Sequence, residues 1–203
     1  MRQLWVVLGV VALLGQAACG AVVYSGPRNI VIDNSNSDVA VDVAGAGGSG
    51  GVYLFEHTWW QGDVELSIEG SQFAGSYFAC APVGPMIGPV DRMNAGDKIG
   101  ADLLWQYTKD NGLLAGYYGT WWGGRFVGEA GYIGVKFDLA DGTHYGWIAF
   151  EGEQDASWGL VTGWAYEDTP DTPIEAGQIP EPATLALLVT GAMVARTRRL
   201  WHR

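Results

Sequence analysis

Apolar and polar residues alternate along most of the chain in short runs, each bounded by Gly, Pro, Asn or Asp, and no stretch sustains a helical period. The pattern predicts an all-β body, a β-sandwich or jelly roll of short antiparallel strands. The expected strands are AVVYS, NIVID, DVAVDV, GVYLFEH, DVELSIEG, QFAGSYFAC, LLAGYY, GYIGVKFDL, THYGWIAFE and WGLVTGWAYE. DLLWQYTKD reads either as a helical turn or as one more strand.

The sharpest local expectation is a hairpin of residues 131–140 and 143–151, because Asp141-Gly142 offers the two positive φ values of a type I′ turn. Pairing outward from that turn sets Leu139 opposite His144, Phe137 opposite Gly146, Val135 opposite Ile148 and Ile133 opposite Phe150. Ile133, Val135, Phe137, Ile148 and Phe150 then share a buried face, whereas a slip of one residue mixes the faces. The next strand places Trp158, Leu160, Thr162, Trp164 and Tyr166 on one side, with small residues between them. Residues 167–182 carry four prolines and five acids without a period, and 167–179 are expected to run as an extended linker.

Both ends of the chain depart from this alternation. Residues 1–20 present Arg2, an apolar stretch from Leu4 to Leu14 and small residues around Ala17 to Ala21, the pattern of a secretory signal helix removed on export. A buried N-terminal helix is the alternative; a lipid anchor on Cys19 fits less well, with Gln16 where an aliphatic residue is usual. Cleavage after Gly20 or Ala21 leaves Cys80 alone in the mature body, while cleavage before Cys19 leaves a Cys19 to Cys80 pair open. The β domain is accordingly placed at 21–166, and the signal implies signal peptidase and the secretion machinery as partners.

Charge sharpens the picture. The chain of 203 residues has a formal net charge of −11, but Arg2, Arg196, Arg198, Arg199 and Arg203 all lie in the terminal segments. Without 1–20 and 180–203, six basic side chains face twenty-one acidic ones, a net −15. Such a body repels nucleic acid and anionic lipid and suits an extracellular setting.

No G-x-S-x-G, H-E-x-x-H, Walker or dinucleotide motif is present, and no cofactor is expected. His144, at the inward end of the hairpin, is expected to be structural. Glu151 with Glu153, and Asp63 with Glu65 and Glu69, provide same-face carboxylates, but glycosidase pairs converge across a cleft, so a secreted hydrolase ranks third. Asp33 to Asp38, DNSNSD, alternates oxygen ligands like the start of a calcium loop but lacks its glycine and twelfth-position Glu, so a polar turn and no metal are expected.

Ten tryptophans outnumber six phenylalanines, and four stand in the pairs Trp59-Trp60 and Trp121-Trp122. Adjacent strand residues face opposite ways, so each pair is expected to place one ring in the core and the other beneath a loop; the alternative is exposed rings that stack on sugars.

The tail explains the basic end. Pro180, Glu181 and Pro182 form an extended Pro-Glu-Pro, Ala183 to Ala195 is an apolar run of thirteen residues, and Arg196, Arg198, Arg199 and Arg203 follow. As a helix that run spans about 20 Å against roughly 30 Å of hydrocarbon, short for a permanent anchor, and the arginines favour a cytoplasmic end. The segment 180–203 resembles the PEP-CTERM sorting signal of bacterial exosortase substrates, and HYGW and AYEDTPDTPI before it resemble the end of a recurrent protein type carrying that signal. The resemblance implies export, transient retention in the inner membrane, cleavage by exosortase near the motif, and association with exopolysaccharide or biofilm matrix. The leading expectation is a non-enzymatic surface or extracellular-matrix protein with a structural or adhesive role; the alternative is a carbohydrate-binding module that uses Trp59, Trp60, Trp121 and Trp122.

Overall fold

The computed structural model describes residues 21–180 apart from 46, 48, 49, 72–74, 84, 85 and 109–111. The expected signal helix with Cys19, and the tail from Glu181 onward with its expected short membrane helix, lie outside the described residues. Within them there is no helix, and every strand pairing is antiparallel.

Fifteen strands follow one another: β1 Val22–Tyr24, β2 Ile30–Asp33, β3 Asp38–Asp42, β4 Val52–Trp60, β5 Asp63–Glu69, β6 Ser76–Val83 and β7 Met86–Val90. After these come β8 Lys98–Ile99, β9 Leu104–Gln106, β10 Leu113–Tyr118, β11 Trp121–Gly123, β12 Ala130–Leu139, β13 Gly142–Gly152, β14 Trp158–Glu167 and β15 Ile174–Glu175. The larger sheet runs β1-β14-β13-β12-β6-β7, with β2 also on β14 and β9 on β6; the second runs β11-β10-β5-β4-β3. Their facing sides make one core, in which Phe150 of the larger sheet stacks on Phe55 of the second at 5.7 Å and meets Phe126 edge-on at 5.4 Å. The architecture is therefore sandwich-like, held by burial of alternate apolar side chains from both sheets.

All five residues expected on the buried hairpin face are buried. The register, however, differs from the expected one by two residues: Phe137 lies opposite His144, Val135 opposite Gly146 and Ile133 opposite Ile148. The turn is Ala140-Asp141, where neither φ is positive; Asp141 is instead held by His144 Nε2 at 3.1 Å. A shift of two preserves side-chain parity, so the faces survive although the turn moves. The turn with two positive φ values is at Gln61 (+52°) and Gly62 (+97°), joining β4 to β5.

In β14 the expected single face is broken. Ala149 pairs with Gly163 but Phe150 with Val161, leaving Thr162 as an extra residue. This bulge reverses parity, so Val161 and, beyond it, Trp164 and Tyr166 all contribute to the inter-sheet core.

The second correction concerns 167–179, which is packed and does not run as a linker. Ile174 pairs with Ile99, Asp171 N donates to Thr143 O at 2.7 Å, and Ala176 N donates to Asp97 O at 2.8 Å. Ile174 and Ala176 are buried with Met93, Ile99, Tyr145, Trp147 and Ala165 in a smaller core on the other side of the larger sheet. At its edge the Lys136 ammonium stands 4.4 Å from the Tyr77 ring and 5.3 Å from the Trp105 ring, a cation on π faces. The strap ends where Gln178 O accepts from Trp147 Nε1 at 3.0 Å.

Candidate functional site: an aromatic end on the second sheet

The two tryptophan pairs come together. β4 and β10 each end in a tight hairpin at the same end of the second sheet, and β5 lies between them. Trp59, Val64, Tyr117 and Trp122 are aligned across β4, β5, β10 and β11. One residue further along, Trp60 is opposite Asp63 and Tyr118 is opposite Trp121. Four strands at about 4.8 Å spacing make each row about 14 Å wide.

The rows lie on opposite faces. Tyr53 and Phe55 of β4 point into the core, so Trp59 has the core-side parity and Trp60 the outward one. None of the four indoles is enclosed: Trp59, Trp60, Trp121 and Trp122 are 65%, 73%, 55% and 43% exposed. The expectation that one of each pair fills the core is overturned: Val64, in the row of Trp59 and Trp122, packs against the core, but the indoles on either side of it stay open to solvent.

On the outward face two rings from neighbouring strands pack against each other. Trp121 stacks on Tyr118 with centroids 4.4 Å apart and planes 22° from parallel. A Cβ on Gly116 would meet Tyr118 Cε2 at 2.8 Å, and one on Gly123 would meet Trp121 Cζ3 at 2.7 Å. Gly116 and Gly123 thus leave room for each ring to lean along its own strand. Tyr118 donates its hydroxyl to Glu65 at 2.9 Å. Burial, with the Glu65 and Asp63 carboxylates, pushes that hydroxyl well above the ordinary tyrosine range, so it remains a donor. Around this bed the outward parity places Asp38, Asp42, Glu56, Asp63, Glu65 and Glu69, and no strand of the sheet carries lysine or arginine.

The other row is differently built. Tyr117 and Trp122 are in contact at 4.4 Å but tilted by 41°, and Tyr117 turns its hydroxyl to Gly119 O. His57, of the same parity as Trp59, is buried with both ring nitrogens lacking hydrogen-bond partners.

The remaining candidates are dispersed. His144 is buried, with Nδ1 2.8 Å from Glu167 O and its ring stacked on Phe137, a structural position. Glu153 accepts from Gln154 N at 2.9 Å, while Glu151 borders an open groove of about 230 Å³ with Tyr132 and Thr162, so the pair does not converge on one cleft. Asp33 accepts from Ser35 N, Ser35 Oγ and Asn36 N, closing a polar turn. Among the described residues no group of three or more His, Cys, Asp and Glu side chains is placed to hold a metal. Cys80 is buried in the core, where burial and then Asp91 push its thiol up to about 12. Of the expected sorting motif only Pro180 is described; it is exposed, two residues past the last anchor of 167–179 at Gln178. Glu181, Pro182, Arg196, Arg198, Arg199 and Arg203 lie outside the described residues.

Sequence reasoning named the four tryptophans, and Asp63 and Glu65 only as same-face carboxylates of a hydrolase reading, but missed Tyr118 and the two glycines. The available signal was YYGTWWGG, in which small residues alternate with large aromatic ones on the outward side of a hairpin. No protein-family model, curated protein or solved structure matches this chain.

Proposed function

We propose that this is an exported, non-enzymatic surface or matrix protein that adheres to polysaccharide through the aromatic end of its second sheet. The observation that carries the reading is the face-to-face Tyr118–Trp121 stack, leaning over glycines on the same sheet face as the exposed Trp60. Sugar rings present C–H faces that pack on such surfaces, while their hydroxyls seek acceptors such as Glu65 and Asp63. An exposed aromatic cluster of this kind is costly to leave in water and marks a contact site. The tail supports the rest of the reading: a signal peptide directs export, the Pro180-Glu181-Pro182 motif is cut by exosortase, and the product moves from the inner membrane to the cell surface or extracellular matrix.

One preparation tests both parts. The surface fraction is purified from the native host, its intact mass is measured, and its retention by the host's exopolysaccharide is compared with that of a Trp60→Ala/Trp121→Ala variant. The expected product lacks Arg196 to Arg203 and is retained only with both rings present. Retained arginines would make the tail an anchor, and undiminished retention of the double variant would remove the glycan reading.

A further inference from the structure

The outward face has a second property beside its rings, and it narrows the ligand. All ionised groups of the sheet's strands carry one sign; Asp63 lies in the row of Trp60, Tyr118 and Trp121, and Glu65 two residues along on the same face, bound to the Tyr118 hydroxyl. A single-signed field around exposed aromatic rings attracts cations and repels polyanions. We infer that the face binds an amino-sugar polysaccharide with free ammonium groups, such as a glucosamine polymer, stacked on Tyr118, Trp121 and Trp60 with its ammoniums on Asp63 and Glu65.

The chemistry is complementary at each point. A pyranose ring laid on the stack directs its equatorial substituents toward the platform's rim, where the carboxylates lie. An ammonium there gains both a carboxylate partner and the negative face of a neighbouring indole. Glu65 is pre-oriented by the Tyr118 hydroxyl, so little side-chain freedom is lost when the ligand arrives. The same carboxylates disfavour uronic-acid and sulfated polymers, whose charges would meet like charges without a counter-cation. The width of about 14 Å exceeds a single ring, so the ligand is a chain.

This inference rests on the glycan-adhesion reading, and the test separates the two. The exported protein from its host is titrated onto immobilised glucosamine polymer, its N-acetylated counterpart and a uronic-acid polymer, at low and high salt. The glucosamine polymer is expected to bind about tenfold more tightly than its acetylated form, the scale of one or two exposed ion pairs plus a cation–π contact. That margin should shrink with salt and in Asp63→Asn/Glu65→Gln, in which residue 65 keeps an acceptor for Tyr118. Equal binding of the acetylated polymer, unchanged in that variant, would overturn the charge inference and leave glycan adhesion standing. Preferred binding of the uronic-acid polymer would overturn it as well. Binding to none of the three, by protein with an unchanged circular dichroism spectrum, would overturn both.

Discussion

Replacing Ile174 by alanine tests whether the acidic, proline-rich stretch 167–179 belongs to the fold. Ile174 is 1% exposed and pairs with Ile99 beneath a cover of Tyr145 and Trp147. Removing its three outer carbons loses their transfer free energy and leaves a cavity that the short β8–β15 ladder can only partly close. The cost expected for such a site is about 2–5 kcal/mol. In a domain of this size each kcal/mol moves Tm by roughly 2–4 °C, so melting should fall by about 5–15 °C. Urea denaturation followed by far-UV circular dichroism reads the change as a lower midpoint at constant m. Two controls bracket it: Ile133→Ala, in the inter-sheet core, should cost a similar amount, and Ile179→Ala, at a 52% exposed position, should stay within about 0.5 kcal/mol. If Ile174→Ala behaves like Ile179→Ala while Ile133→Ala shows the full loss, the strap is a linker after all.

Other expectations follow from single contacts. Gly116→Ala should lift the Tyr118 ring off the sheet and weaken polysaccharide binding with little change in Tm, whereas Gly146→Ala, whose Cβ would lie 2.5 Å from Ala165 O, should destabilise the fold; binding titrations and melting curves on both variants check this. The Asp33 and Asp155 carboxyls are held below the ordinary value of 3.8, first by the Ser35 and Ser157 side chains. A depressed folded-state value gives stability that is present above that pH and is lost as pH falls through the folded-state value, so Asp33→Asn and Asp155→Asn should flatten the acid limb of a stability–pH curve below about pH 4. EDTA should leave the melting temperature unchanged; a fall reversed by calcium would show that a metal is required.

Much of the fold was legible because side-chain parity in a strand depends only on alternation. LLAGYY and WGLVTGWAYE coincide with β10 and β14, and the hairpin's buried face survived an incorrect turn because the register moved by two. What failed was information that alternation does not carry. The bulge at Thr162 arises from sheet-wide pairing, and the turn is set by a side-chain contact, in which His144, three residues on, holds Asp141. The strap was misread because four of its anchors are backbone or single-residue contacts made to β8, β13 and the loop at Asp97, and prolines that forbid a helix are compatible with a packed extended segment. The tryptophan pairs were half legible: their opposite facing followed from the strand, but alternation does not say which strand-end positions the rest of the fold covers.

The central claim, that the outward row of the aromatic end lies against sugar, is tested most directly at the indole protons. Residues 21–180 contain eight tryptophans, each with one Nε1–H resonance. Titration of the purified protein with oligosaccharides cut from the host's exopolysaccharide should shift the signals of Trp60 and Trp121. The signal of Trp147, buried and donating to Gln178 O, should stay in place. Saturating oligosaccharide that leaves Trp60 and Trp121 unmoved, or that moves only tryptophans elsewhere on the molecule, would contradict the account.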